Sequence, residues 1–343
     1  MDFLELCAKG NPEEIQKAIQ AGADVNIRNE SDWRTPLMYA AEENKNPEVI
    51  KVLLQAGADV YARDTRYNWD DVYETGMTPL MYAAQSNSPE VVRLLIQAGS
   101  LVNSGDVETR KTPLMFAASD NENSEVLRVL LQAGADVEAR DEFDRTPLHM
   151  IYGKNQLEKV KIFVEAGVDV NAQDKDGETP LIHFSDQDFN CVQFLLQAGA
   201  DVNARNDYGE NSLHEAVTSS TTDPKVIRLL LEAGVDVHRK SNSGRTPLLA
   251  IAYTNPQNAQ EEIIRLLLDA GSDINQSDND GKTPLVYIAE HSDNPSLIKI
   301  FLAAGADAKI IDKNGKKALD YARENKKLQE NKEIIQTLEK ISQ

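Results

Sequence analysis

Residues 167–181 read GVDVNAQDKDGETPL, and this stretch decides the fold because close copies of it recur along the chain. It begins at the glycine of an Ala-Gly pair and ends in the tripeptide Thr-Pro-Leu. The pair occurs nine times, at intervals of 32 to 42 residues, with its glycine at Gly22, Gly57, Gly99, Gly134, Gly167, Gly199, Gly234, Gly271 and Gly305. The tripeptide starts at Thr35, Thr78, Thr112, Thr146, Thr179, Thr246 and Thr283, with degenerate copies at Asn211 and Lys317. Such a period indicates one array of stacked units.

Each unit is predicted to contain two short helices. Threonine is a favoured N-cap, and the proline after it suits the first helical position, as in the stretch TPLMYAA at 35–41. Val49, Val52 and Leu53 have the spacing of a buried face on the second helix, which the Ala-Gly glycine ends. An asparagine is expected to end the first helix in the left-handed conformation, at Asn44, Asn87, Asn121 and Asn155.

The iterated pattern GADVNARxxxGxTPL resembles the ankyrin repeat family over nearly the whole chain. The variants TPLMYAA and Asn-Pro-Glu are similar to those of bacterial members. The resemblance implies an all-α solenoid of helix-turn-helix units with β-turn fingers, about nine repeats plus a C-terminal cap. We expect an N-terminal capping repeat at 1–30, a central array at 31–315 with a long finger insertion at about 62–77, and C-terminal capping helices at 316–343.

Composition limits the functions open to the chain. The formal charge is −20, which disfavours binding to nucleic acid or anionic membranes, because clustered Lys and Arg carry that binding. The acidity predicts either a merely solvated surface or attraction to a basic protein partner. The N-terminus lacks the pattern of a secretory signal, so we expect a cytoplasmic monomer, or a secreted or periplasmic one if a signal was removed.

The sequence predicts no enzyme, because no nucleophile, base and orienting group occur in a recognisable set. No cofactor and no metal are expected. A nucleotide binder remains an alternative, although Gly281-Lys282-Thr283 lacks the first glycine of a phosphate-binding loop. The resemblance implies turn-bridging hydrogen bonds for His149 and His214. Cys7 and Cys191 are predicted to be buried, inert thiols.

Aromatic residues in the fingers are candidates for partner binding. Trp33 stands where other turns have glycine, and Trp69 lies in the long insertion with Tyr67 and Tyr73. Phe143 is at another turn tip. Interfaces favour such rings, whereas a turn does not need them. The alternative is that the long finger packs its rings on itself.

A second set of candidates follows the first helices of the N-terminal half. The position after Thr-Pro-Leu-x, which faces the groove in the family, holds Tyr39, Tyr82, Phe116 and Met150. The residues before threonine in these units are Arg34, Met77, Lys111 and Arg145. The hypothesis is a non-catalytic scaffold or adaptor that binds a protein on the concave face and fingers of this half. An inhibitory module that blocks an enzyme is the alternative, and Tyr39 and Tyr82 could be partly structural.

One weak joint is predicted at units five and six. Ile151-Tyr152 and Phe184-Ser185 occupy slots that hold Ala-Ala in units two to four. Close-packed interiors tolerate added volume poorly, so helix packing should be altered there and amide exchange should be faster.

Overall fold

The computed structural model of the chain describes residues 2–64, 66–68, 71–73, 75–219, 223–254 and 260–342, with only the backbone described for 66–68 and 71–73. The chain forms two compact units, here called unit 1 (Met1–Lys175) and unit 2 (Asp176–Gln343). The division lies in the finger between the two repeats for which the sequence predicts the weak joint.

Both units consist of short helices joined by turns. Unit 1 contains α1 (Phe3–Lys9), α2 (Pro12–Gln20), α3 (Pro36–Glu43), α4 (Pro47–Gln55), β1 (Arg66–Asn68), β2 (Asp71–Tyr73), α5 (Pro79–Ser86), α6 (Pro89–Gln97), α7 (Pro113–Ser119), α8 (Glu125–Gln132), a 3-10 helix (Pro147–Met150) and α9 (Gln156–Glu165). Unit 2 contains α10 (Pro180–Phe184), α11 (Phe189–Gln197), α12 (Ser212–Thr218), α13 (Pro224–Glu232), α14 (Pro247–Thr254), α15 (Glu261–Asp269), α16 (Pro284–His291), α17 (Pro295–Ala303), α18 (Ala318–Glu324) and α19 (Lys332–Ser342). The all-α class is confirmed, and the described residues add one two-stranded antiparallel hairpin, β1–β2, in the long finger.

The predicted helix starts are confirmed, and so is the glycine end of the second helices. The hydroxyl of Thr78 accepts the backbone N–H of Met81 at 3.4 Å, and proline occupies the first turn of α5. Thr112 and Thr179 cap α7 and α10 in the same way. After α4 the glycine of the Ala-Gly pair, Gly57, has φ 87°, a conformation that glycine adopts without steric cost.

The expected role of the asparagines is wrong. Asn44 and Asn87 end their helices in extended rather than left-handed conformations. Their side chains reach the preceding repeat: Asn87 Nδ2 donates to the carbonyls of Ala41 at 2.8 Å and Asn44 at 3.0 Å. Asn121 repeats the arrangement one unit further on. These buried amides pair backbone carbonyls that would otherwise be unsatisfied at helix ends.

Within each unit the helices stack in two layers. In unit 1 the first helices α1, α3, α5 and α7 contact each other in succession, and the second helices α2, α4, α6, α8 and α9 do the same. In unit 2 the series α10, α12, α14, α16 and α18 forms the first layer, and α11, α13 and α15 stack in the second. The buried apolar side chains, among them Leu37, Leu53, Leu80 and Leu95, lie between and within these layers. Neighbour contacts of this kind are how repeat proteins bury their apolar faces.

The fingers of neighbouring repeats are joined by backbone hydrogen bonds. In unit 2 the N–H of Asp207 donates to Asp176 O at 2.7 Å, and in unit 1 the N–H of Glu142 donates to Thr109 O at 2.9 Å. Gly177 shows how close the approach is, because a Cβ there would lie 2.9 Å from the Asp207 backbone nitrogen. The fingers therefore form a continuous edge within each unit.

The first helices of the fifth and sixth repeats are shortened. The fifth has only the 3-10 turn Pro147–Met150, and α10 in the sixth has five residues, compared with eight in α3 and α5. Ile151 and Phe184 are fully buried, so the bulk expected at these slots lies in the core. Bulk at this slot does not by itself shorten the helix, because Ile251 and Ile288 are buried at the same position of the eight-residue helices α14 and α16. The expected faster amide exchange stays a prediction.

Candidate partner-binding face

Trp33 has an unusual backbone conformation for its residue type. Its φ is 55°, in the left-handed region, and the turn position that it occupies has glycine at the corresponding place in every repeat of unit 2, for example Gly177 with φ 74°. A bulky residue in this region costs about 1–2 kcal/mol. Arg110 and Asp144 occupy the same turn position with φ 58° and 56°, so the strain is not particular to Trp33, and its exposed ring is what makes it a candidate for function.

Arg28 holds the tryptophan turn in place. Its Nη1 donates to Trp33 O at 3.0 Å and to Arg63 O of the next finger at 2.7 Å. The guanidinium carbon lies 5.7 Å from the centre of the Trp33 ring, within the range of a cation–π contact. The ring is still 40% exposed. Trp33 thus presents a fixed aromatic surface to solvent.

The predicted stripe on the first helices is mostly buried. Tyr82, Phe116 and Met150 are 1%, 8% and 2% exposed, and only Tyr39 is half-buried. These side chains lie within the first-helix layer and offer a partner little exposed surface. Their contact with a partner stays a prediction.

Hydrogen bonds add a structural role for the two tyrosines. The hydroxyl of Tyr39 donates to Asp32 Oδ2 at 2.9 Å, and that of Tyr82 donates to Asp64 Oδ2. Burial and the hydrogen bond to Asp32 raise the pKa of Tyr39 to about 12. Each tyrosine therefore fastens its helix to a finger, and the partly structural alternative is supported.

Two of the three predicted basic residues are paired with carboxylates. Arg34 is 9% exposed, and its Nη1 donates to Glu42 Oε2 at 2.6 Å while its guanidinium carbon lies 4.2 Å from the Tyr82 ring centre. Arg145 makes two hydrogen bonds to Asp141 Oδ2, at 2.9 and 2.8 Å. The two arginines are neutralised locally. Lys111 and Met77 are half-buried.

Phe143 is an exposed finger ring. It is 49% exposed, and the guanidinium carbon of Arg145 lies 4.8 Å from its ring centre. The other finger candidates can be placed only in part. The backbones of Tyr67 and Tyr73 pair in the hairpin with Val72 and Arg66, but their side chains lie outside the described residues, and so does the whole of Trp69.

The first-helix face of unit 2 carries concentrated negative charge. Glu215 occupies the position that holds Tyr39 or Tyr82 in unit 1, and its carboxyl is half-buried. Burial, together with the charges of Asp186, Glu178 and Glu210, raises its pKa to about 7. The pKa values of Asp186 and Glu210 are also raised, mainly by burial. A positively charged group brought to this face would relieve the repulsion.

Two exposed apolar residues of unit 1 were missed by the sequence analysis. Tyr61 is 57% exposed and Leu101 is 60% exposed. The repeat pattern contains the signal, because Leu101 follows its glycine at the position where Asp59 and Asp136 follow theirs, and Tyr61 replaces the asparagine seen at Asn26. Asn26 and its equivalents bind the next connector, with Asn26 Oδ1 accepting from Asp59 N at 2.8 Å.

The histidines and cysteines have structural environments. The backbone N–H of Thr146 donates to His149 Nδ1 at 3.2 Å, and His214 Nε2 donates to Arg245 O at 3.0 Å. The turn-bridging role is confirmed for His214, whereas this bond of His149 is to Thr146 at the start of its own helix. Cys7 and Cys191 are fully buried free thiols, as predicted. Among the described residues, no three His, Cys, Asp or Glu side chains are grouped so that they could hold a metal ion.

Stacked helix-turn-helix units whose fingers are joined by backbone hydrogen bonds define a helical repeat protein. The chain belongs to the ankyrin repeat family: the model of ankyrin repeats in three copies matches it in overlapping segments at 4–106, 65–141, 100–174, 148–241, 185–278, 213–312 and 249–341. Members of this family generally mediate protein–protein interactions and are typically non-catalytic. The comparison with curated proteins found no match. Of the helices in the described residues, none has the length and apolar character needed to cross a membrane.

Proposed function

We propose that this protein is a non-catalytic scaffold that binds a protein partner through the fingers and first helices of unit 1. The observation that carries the proposal is Trp33, an exposed ring held at φ 55° where glycine would be unstrained. Tryptophan is among the residues most enriched at binding hot spots. A ring fixed before binding loses little conformational entropy when the partner arrives.

The finger edge supplies a second anchor. Phe143 is 49% exposed and stacked under Arg145, whose charge is balanced by Asp141. The backbone N–H groups and carbonyls of these fingers are paired with each other, so the edge is rigid. We infer that the partner contacts ring faces along this edge, while Tyr82, Phe116 and Met150 shape the surface beneath it.

The partner is proposed to carry a basic surface. The chain has a formal charge of −20, and Arg34 and Arg145 are neutralised within their own repeats. Arg34 and Arg145 therefore do not make the surface around Trp33 and Phe143 positively charged. Opposite charges speed association and disfavour wrong partners more than they add affinity.

The ends of the chain are proposed to act as caps. In α2 only Ile15 is buried, and α19 buries Ile334 and Leu338 and exposes most of its remaining residues. Terminal repeats of solenoids need such a polar outer face. We assign 1–30 and 316–343 to this role and 31–315 to the array. The buried free thiols suit a cytoplasmic location.

The test is a capture experiment from a lysate of the source organism with three matched baits: wild type, Trp33→Gly and Tyr208→Ala. Tyr208 is an exposed finger ring of unit 2, at 58%. A partner retained by wild type and Tyr208→Ala but lost by Trp33→Gly is the expected result. Equal retention by all three folded baits would contradict the proposal. If the captured protein is an enzyme that loses activity when bound, the inhibitory role replaces the adaptor role.

A further inference from the structure

Lys159 lies in a position that is apolar in the other repeats. It is eight residues before Gly167 and is only 1% exposed. The residues eight places before the other second-helix glycines from Gly57 onward are Val49, Val91, Val126, Cys191, Val226, Ile263 and Leu297, all of them at most 3% exposed. Buried lysines are rare unless they are paired. Lys159 therefore departs from the repeat pattern in chemistry but not in burial.

The ammonium group has a backbone partner. Lys159 Nζ donates to Ala118 O, in the last turn of α7, at 2.7 Å. At the preceding junction the equivalent carbonyl, Ala84 O, accepts instead from the side-chain amide of Asn121 at 2.9 Å. Lys159 thus stands in for an asparagine clamp.

The fifth repeat lacks the usual clamp because its first helix is short. The 3-10 turn ends at Met150, and Asn155 has φ 58° at the start of α9. From there its Nδ2 reaches Glu122 O at 2.9 Å rather than a carbonyl of α7. Lys159 of α9 therefore donates to the carbonyl of α7 that the asparagine does not reach, Ala118 O.

The replacement has an electrostatic cost. Burial lowers the pKa of Lys159, although the carboxylates of Asp120 and Glu122 act in the opposite direction. Glu122 is also paired with Lys154, at 2.7 Å, so its charge is shared. In the described part of the chain no carboxylate oxygen lies within ion-pair distance of Lys159 Nζ. Burying an ammonium group costs more free energy than burying an amide.

We propose that Lys159 makes the fifth repeat (residues 146–167) the built-in opening point of unit 1. Any state in which α9 separates from α7 and α8 returns the ammonium group to water. The single 3-10 turn that precedes α9 has little helical structure to lose in such a state. Regions that open locally are those in which few favourable interactions are lost. The fifth repeat therefore opens before the second to fourth repeats do.

The test is amide hydrogen exchange of the full chain at neutral pH, with Lys159→Met compared to wild type. Methionine has a similar length and removes the charge. It also leaves Ala118 O without its donor, so the expected gain is the cost of burying the ammonium group less the cost of that unpaired carbonyl. We expect exchange in α9 to slow at least about tenfold, a change that corresponds to about 1.4 kcal/mol. Lys161→Met, which removes a half-buried lysine from the same helix, is the matched control and should leave α9 exchange within about twofold of wild type.

A second measurement separates charge from packing. Because the folded-state pKa of Lys159 lies below its unfolded value, the lysine penalty is present at neutral pH and is lost as the pH rises toward 10.5. The excess stability of Lys159→Met over wild type should shrink over that range. Unchanged or faster exchange in Lys159→Met, its failure to fold, or an excess stability independent of pH would each overturn the proposal.

Discussion

Arg28 contacts Trp33 at both its backbone and its ring. Arg28 Nη1 donates to Trp33 O at 3.0 Å, and the guanidinium carbon lies 5.7 Å from the indole ring centre. The same nitrogen reaches Arg63 O of the next finger at 2.7 Å. One side chain therefore fixes the strained turn, supports its ring and joins two repeats. Arg140 does the same for a later finger, donating to Asp144 O and Gln173 O at 2.6 Å each.

Trp33→Gly should separate binding from stability. Glycine accepts φ 55° without strain, so the free energy of unfolding should stay within about 1 kcal/mol of wild type. Partner affinity should fall by about 2 kcal/mol or more, the usual size for a hot spot. Calorimetric titration with the captured partner and urea unfolding measure the two quantities. A variant that unfolds early but binds normally when folded would assign the ring to packing.

Phe143→Ala and Tyr208→Ala form a matched pair of finger-tip variants. Both rings precede the first helical residue by four positions, and they are 49% and 58% exposed. Neither substitution should change stability by more than about 0.5 kcal/mol, because exposed side chains rarely carry the fold. If unit 1 is the binding unit, Phe143→Ala should weaken partner binding by at least about 1 kcal/mol, and Tyr208→Ala should leave it unchanged. The reverse order would move the interface to unit 2.

Asn87→Ala should destabilise the protein strongly. Its amide pairs two buried carbonyls of the preceding repeat, at 2.8 and 3.0 Å, and the residue is 3% exposed. Two unpaired buried carbonyls cost about 2–4 kcal/mol together. Asn103→Ala is the control, since Asn103 makes a similar contact to Gly134 O at 2.9 Å but on the exposed edge. Urea unfolding should show a loss below about 1 kcal/mol for that variant.

The sequence predicts the helices better than the surface, and the reason is physical. Helix starts depend on local residues such as Thr78 and Pro79, which are visible within one unit. The hydrogen bonds of Tyr82 and Asn87 depend on atoms 18 and 46 residues away in the chain. Asparagine has two local uses in general, as a left-handed helix end and as a side-chain donor. Periodicity alone does not choose between them.

The candidate site was predictable at positions where the repeat pattern specifies one residue type. The turn position of Trp33 has a positive φ, which glycine adopts most easily, but Arg110 and Asp144 occupy it too, so the aromatic ring rather than the departure from glycine singles out Trp33. Leu101 was equally conspicuous in place of aspartate, but only an alignment of the connectors reveals it. Pairing of Arg34 with Glu42 was not foreseeable, because the two residues are separated by a helix whose length the sequence does not fix closely.

Both thiols should be unreactive in the native protein. Burial, aided by the charge of Asp2, raises the pKa of Cys7 to about 12, and burial also raises the pKa of Cys191. The thiolate is the reactive form. A chromogenic disulfide reagent at neutral pH should find almost no thiol in the native chain and two per chain in guanidinium chloride. Rapid modification of either residue without denaturant would contradict the buried environment.

His214 should make unit 2 sensitive to mild acid. Burial is the main cause that lowers its pKa from 6.5 to about 4, although the hydrogen bond from Nε2 to Arg245 O (3.0 Å) acts in the opposite direction. The folded-state pKa lies below the unfolded one. The stabilising contribution is therefore fully present above pH 6.5 and is lost as the pH falls toward 4.

The size of the effect can be measured by difference. Between pH 7.5 and 4.5 wild type should lose about 2–3 kcal/mol of unfolding free energy that His214→Gln does not lose, since glutamine does not titrate. Urea unfolding of both proteins at the two pH values cancels the shared titration of the carboxylates. His238→Gln, which replaces an exposed histidine of the same unit, should follow wild type at both pH values. A parallel pH dependence of wild type and His214→Gln would mean that the buried ring takes up its proton without strain.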